Sequence, residues 1–135
     1  ANPIILSDIG SVTDTIVKLT LTGERTRMDE IMADLVPRFP DFSIIRSGEI
    51  FIDVMNPLAT KAHALRYMMK QFNVAADEVL AFGNYYNDLG MLEIAGTGVA
   101  MGNAPDEVKA HADWVAKSNN DDGVAQVIEQ LLEEK

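Results

Sequence analysis

From Thr60 onward the apolar positions alternate between two rhythms. Lys61 to Asn73 (KAHALRYMMKQFN) repeats at three and four residues and places Ala64, Leu65, Met68, Met69 and Phe72 on one helical face. Glu78 to Phe82 is a short apolar run stopped by Gly83, the pattern of a strand buried on both faces. Helical spacing returns over Asn87 to Ala95, with Leu89, Met91, Leu92 and Ile94 inward and Gly96 as the stop. Gly98-Val99-Ala100-Met101 predicts a second buried strand, ended by Gly102-Asn103. Ala104-Pro105 opens the next helix, with proline in its favoured first turn and Asp106 and Glu107 matching the helix dipole. Trp114-Val115-Ala116 predicts a third strand, Asn119 to Asp122 a polar loop, and Val124 to Leu132 a closing amphipathic helix. Short buried strands alternating with helices imply a parallel sheet, whose ligand crevice lies at the carboxyl ends of its strands. The loops after Phe82 and Met101 are where chemistry belongs.

The first part of the chain keeps a different rhythm. Ile16 to Leu21 alternates as a strand does and ends at Gly23, and Arg27 to Phe39 predicts a helix with Met28, Ile31, Met32, Leu35 and Val36 inward, stopped by Pro40. Phe42 to Ile45 and Ile50 to Val54 predict two strands joined at Ser47-Gly48-Glu49, a hairpin signal. This order suggests an antiparallel α+β layer. Asn56-Pro57 breaks the pattern and marks a boundary between residues 1–56 and 57–135.

Composition then narrows the class. Apolar residues make up 47% of 135 positions, so a core can be buried and disorder is not expected. The chain has no cysteine, which excludes a disulfide framework and a thiolate metal site and fits a reducing, cytoplasmic setting. No apolar stretch approaches the roughly 20 residues of a membrane span, and the first residues (ANPIILSDIGS) lack the basic region of a secretory signal. A net charge of -10 argues against nucleic acid and anionic membranes as partners. A small phosphorylated ligand then needs a local cation, either a metal or a lysine.

The densest candidate chemistry is Gly83-Asn84-Tyr85-Tyr86-Asn87-Asp88, directly after a predicted buried strand. Asp88 can bind a hard dication through oxygen, and Asn87-Asp88 can equally cap the following helix. Lys61 opens a helix, where backbone amides attract anions, and can neutralise a phosphoryl group; its plain alternative is a solvated surface lysine. Asn103 falls on the same rim as Asn84 but also fits an ordinary strand-to-helix turn. Asn119 and Asp122 read as loop and cap residues, His63 and His111 as helix-surface residues, and Met68, Met69 and Met91 as core. The neighbours of His63 and His111 form no metal-ligand pattern, and no serine–histidine–carboxylate arrangement or Gly-x-Gly-x-x-Gly fingerprint is present.

In order along the chain, these segments resemble the Cof-type, sugar-phosphatase-like members of the haloacid dehalogenase (HAD) superfamily. That family has a lysine-led helix, a strand ending in Gly-Asp-x-x-Asn-Asp with x-x-Met-Leu after it, then Ala-Gly-x-Gly-Val-Ala-Met-x-Asn-Ala and Asn-x-x-x-Gly-Val. Here Lys61, Gly83 to Asp88, Met91-Leu92, Ala95 to Ala104 and Asn119 to Val124 stand at those places. The resemblance implies a HAD-like (Rossmann-like) partial parallel sheet with helices, preceded by an α+β remnant of the family's inserted cap. It also implies magnesium-dependent hydrolysis of a phosphate monoester by an attacking aspartate, with a second aspartate two residues later as the acid. Carried over residue by residue, Lys61 is catalytic and holds phosphate, Asn87 supports the substrate by hydrogen bonding, and Asn84 and Asp88 hold the metal. Arg46 and Glu49, on the hairpin, are candidate cap contacts with substrate or else solvated turn residues.

Two departures shape the expectation. The family's Asp-x-Asp-Gly-Thr motif is not found; Ile4-Ile5-Leu6-Ser7-Asp8-Ile9-Gly10 echoes it, with Asp8 at the nucleophile's place and glycine at the acid's. The loop's first aspartate is Asn84 here, which removes one negative charge from the metal site. The chain is therefore expected to be incomplete and inactive alone, or else a pseudo-enzyme acting as a binding or regulatory subunit; an active phosphatase using Asp8 is the third reading. In the family the missing first strand lies beside the one ending at Phe82. Its absence predicts an open edge that pairs with a second copy or a complementing chain, or else a fragment whose missing half was lost.

Overall fold

The computed structural model describes residues 8, 10, 12, 13 and 15–133. They form an α/β fold with two three-stranded sheets, one on each side of Asn56-Pro57. The first sheet is antiparallel in the order β1-β3-β2, from β1 (Lys18–Thr22), β2 (Ser43–Gly48) and β3 (Phe51–Met55). Side chains alternate across a strand, so the register sorts its residues onto two faces. Leu19, Leu21, Ile44, Ile52 and Val54 share the face packed by α1 (Arg25–Arg38), where Met28 and Ile52 are fully buried. Lys18, Thr20, Ile45, Asp53 and Met55 share the opposite face, which looks toward the second half of the chain.

The second sheet is parallel, in the order β4-β5-β6, from β4 (Leu80–Gly83), β5 (Thr97–Ala100) and β6 (Trp114–Val115). On one side Ala81 packs with Leu92 of α3 (Leu89–Ile94), with Ala104 and with Val108 of α4 (Asp106–Ala110). On the other, Val99, Met101 and Ala116 pack with Val127 of α5 (Gly123–Glu133), flanked by half-buried Leu80 and Phe82. α2 (Lys61–Phe72) packs on α3, so closely that a Cβ at Gly90 would lie 3.1 Å from that of Ala62.

The structure shifts three sequence expectations. The hairpin turn falls at Glu49-Ile50, because β2 continues through a bulge between Arg46 and Gly48 and ends three residues beyond the expected Ile45. The strand expected from Glu78 begins at Leu80, because the Glu78 carboxylate accepts the Ala75 N–H at 2.9 Å and holds residues 76–78 in a 3₁₀ turn. The apolar stripe of α2 is not all core: Met68 and Phe72 are 48% and 68% exposed, and Ala64 is exposed too. α3 covers the other flank of the helix, and no described residue covers this one. α5 likewise leaves Val124, Ile128 and Leu132 in the open, and β4 pairs with β5 alone among the described residues.

Candidate active site

The loop after β4 is closed by its own carboxylate. Asp88 is buried, and its Oδ2 accepts the backbone N–H groups of Asn84 at 2.8 Å and Tyr85 at 3.2 Å. Its Oδ1 takes the Lys61 ammonium, so that lysine and loop form one ion-paired unit. The carboxylate caps the loop and not the first turn of α3, where its side chain makes no hydrogen bond. The turn is tight enough that a Cβ at Gly83 would stand 2.6 Å from the Cβ of Asp88, so only glycine fits.

Lys61 is the first residue of α2. Thr60 caps that helix, its hydroxyl accepting the His63 N–H at 3.2 Å, and the Lys61 side chain is half-exposed. Lys61, Thr60 and Asn87 line a cavity of about 220 Å³ whose other wall is the inner face of the first sheet: Lys18, Ile45, Asp53 and Met55. The structure thus brings Lys61, Asp88 and Asn87 together. Asn84 joins them through its backbone, while its residue lines a neighbouring cavity of about 300 Å³ with Asn103 and Asn119.

The wall from the first sheet was not expected from sequence. Asp53, on the central strand, is 5% exposed and accepts hydrogen bonds from Thr20 Oγ1 at 2.7 Å and Lys18 Nζ at 3.1 Å. Burial raises its pKa, but the hydrogen bonds from Thr20, Lys18 and Ser47, with the Lys18 charge, outweigh this and hold it below the ordinary aspartate value. The available signal was an acidic residue at an inward position of an apolar strand. Its partners depend on strand register and cannot be read from neighbours in sequence.

Other candidates take structural roles. Arg46 spends its guanidinium on Asp29 at 2.5 Å and on the carbonyls of Gly48 and Glu49 at 3.2 and 2.6 Å, tying the hairpin to α1. Glu49 pairs with Arg25 at 3.2 Å. Both line a larger cavity of about 560 Å³ with Tyr85, Tyr86 and Glu107, which includes neither Lys61, Asn87 nor Asp88. Burial, then Glu107, raises the pKa of Tyr86 and keeps its phenol neutral. Asn103 Oδ1 accepts the Asn119 N–H at 3.1 Å, Asp122 precedes α5 in a left-handed conformation, and His111 meets Glu93 at 3.0 Å. Asp8 is exposed and accepts the Gly10 N–H at 2.9 Å; it does not line the Lys61 cavity. Ile4 to Ser7 and Ile9, the rest of the nucleophile echo, lie outside the described residues.

A magnesium ion takes about six oxygen ligands, usually with one or two carboxylates among them. Among the described residues no three His, Cys, Asp or Glu side chains converge. Asp88 is already paired with a lysine and two amides, and Asn84 is neutral. These residues do not by themselves make a magnesium site. No helix among the described residues is long and apolar enough to cross a membrane.

The lysine held by a buried carboxylate thus sits at the carboxyl end of a parallel strand and faces a separate antiparallel sheet, in an α/β fold. The family model for haloacid dehalogenase-like hydrolases matches residues 2–128, and the chain belongs to that family. A Haemophilus influenzae relative is 45% identical over 117 residues, covering 87% of this chain and 45% of its own. SMU.1108c of Streptococcus mutans superposes with a TM-score of 0.87 at 32% identity, over 95% of this chain and 49% of that one. The HAD subclass IIB sugar phosphatase BT4131 superposes at 0.77 with 29% identity, over 87% and 44%. The chain spans about half the length of these relatives.

Proposed function

We propose that this chain supplies the phosphate-holding side of a phosphate-monoester hydrolase acting on a small phosphorylated metabolite. The observation that carries this is the Lys61–Asp88 unit at the mouth of β4, opening with Asn87 on one cavity. The ammonium is fixed by a buried carboxylate before any ligand arrives, so little reorganisation is needed when phosphoryl charge develops beside it. The first amides of α2 add to the same positive end. Asn87 hydrogen-bonds the phosphate or the group leaving it. Asn84 and Asp88 would be this chain's contacts to a magnesium ion, which would offset phosphate charge, but with both Asp88 oxygens already bonded they would not hold it alone. This reading assigns the attacking carboxylate to a segment other than the residues that line this cavity.

The open edge of β4 and the bare apolar flanks of α2 and α5 are where a segment that completes the site would pack. Residues 1–56 then act as the cap-like layer and 57–135 as the core half. Asn84 favours a second reading, in which the fold is kept for binding or regulation, because the loop has lost a charge on which magnesium binding depends.

Titration of the ¹⁵N-labelled chain with inorganic phosphate tests the first reading. Amide shifts should concentrate at residues 61–64 and 84–88, and Lys61→Met should weaken binding about tenfold or more, the order expected for a charged hydrogen bond. Equal phosphate affinity in the two proteins would remove Lys61 from the phosphate site.

A further inference from the structure

The turn after β4 separates two cavities. Tyr85 and Tyr86 line the larger one, of about 560 Å³, while Asn87 lines the smaller one, of about 220 Å³, together with Lys61. Ile45 of β2 lines both, and β2 packs against residues 86–88, so the partition is that turn set against Ile45. Asp88 does not fix the partition sideways. Its carboxylate takes the N–H groups of Asn84 and Tyr85 and the Lys61 ammonium, all within the second half of the chain. The Tyr86 ring meets both halves. It packs against the cluster of Ala81, Leu92, Ala104 and Val108, and shares the wall of the larger cavity with Ile44, Ile45 and Arg46 of β2. The Tyr85 ring stands edge-on to it, with centroids 5.1 Å apart. The Tyr86 hydroxyl donates to the Glu107 carboxylate on α4, so half-burying the phenol leaves no unpaired donor.

We propose that Tyr86 is a positioning residue whose ring wedges the 86–88 turn between the core cluster and β2 and so keeps Asn87 facing Lys61; this rests on the reading that Lys61 and Asn87 hold the phosphate. Tyr86 and Asn87 are neighbours in a three-residue 3₁₀ turn, so a rotation of the turn moves both together. Such a turn has poorer hydrogen-bond geometry than an α-helix, and its placement depends on packing. A leucine or methionine at this position fills space against the cluster but lacks the rigid breadth of a ring, and the turn can relax toward the larger cavity. Phosphate then keeps Lys61 and the first amides of α2 and loses the Asn87 carboxamide. Tyr85 and Tyr86 stand at the two open positions of the family's loop motif, which assigns them no role.

The test is titration of the ¹⁵N-labelled chain with inorganic phosphate, reading both affinity and the side-chain amide signal of Asn87. Tyr86→Leu and Tyr86→Met should each weaken phosphate about tenfold, the order of one charge-assisted hydrogen bond, and the Asn87 side chain should stop responding. Tyr86→Phe keeps the ring and should bind as the parent does. A role in stability alone would leave affinity and the Asn87 response unchanged in a folded ringless variant, and that result would overturn the proposal. A loss in Tyr86→Phe equal to that in Tyr86→Leu would overturn it too. Nuclear Overhauser contacts from the Tyr86 ring to β2 in the parent chain check the wedge without any substitution, and their absence counts against it. A parent chain that binds no phosphate at all would instead overturn the phosphate reading, and this proposal with it.

Discussion

Two buried aspartates organise the candidate site, and they differ in how they are held. Asp88 is served by backbone amides of its own loop and by a lysine 27 positions away. Asp53 is served by side chains on two strands, one of them 35 positions distant. That difference explains what was legible. Lys61, Asn87 and Asp88 sit at a helix start and a strand-to-helix turn, in contiguous motifs that the family resemblance singles out where spacing alone does not. Lys18, Thr20 and Asp53 converge only once β1 has registered against β3. The Asp53 pairing also predicts an acid response. Its folded pKa lies below the ordinary value of 3.8, so its contribution to stability is fully present above that value and is lost as pH falls through the folded one. Urea unfolding midpoints at pH 7 and pH 3 should differ less in Asp53→Asn than in the parent chain; an identical difference would deny the pairing this role.

At the level of elements, apolar periodicity placed the helices and strands, and short-range hydrogen bonds moved their ends. The bulge in β2 and the Glu78 turn before β4 are side-chain and backbone details that the periodic pattern does not encode. Burial was harder to read than position. The α2 stripe has the spacing of a core face, yet its outer flank is covered by nothing described here, while Leu92 on α3 is 2% exposed. The two should therefore respond differently to truncation. Leu92→Ala should cost about 2–5 kcal/mol, the usual range for a buried leucine, and Phe72→Ser should stay within about 0.5 kcal/mol, as an exposed position does. Denaturant titration of both variants checks this, and a comparable loss in each would show that the α2 flank is packed in the isolated chain.

Among the described residues, two cavities lie between the halves, and the smaller has Lys61 and Asn87 from the second half on one side and Lys18 and Asp53 from the antiparallel sheet on the other. The α/β class and the family were legible because the glycine-rich loops and the Lys61 helix are contiguous motifs. The cavities between the halves were not, since no local pattern states how two sheets face each other. The chain carries a net charge of -10, so Lys61 and Lys18 are local exceptions in an acidic molecule, which suits one small anionic ligand better than a polyanion. The most direct measurement is magnesium-dependent hydrolysis of a generic aryl phosphate by the purified chain, with Asp8→Ala beside it. The account predicts no turnover above buffer in either protein, because the residues around Lys61 hold phosphate and the attacking carboxylate lies outside them. Turnover in the parent chain that disappears in Asp8→Ala would make Asp8 the nucleophile and contradict that account.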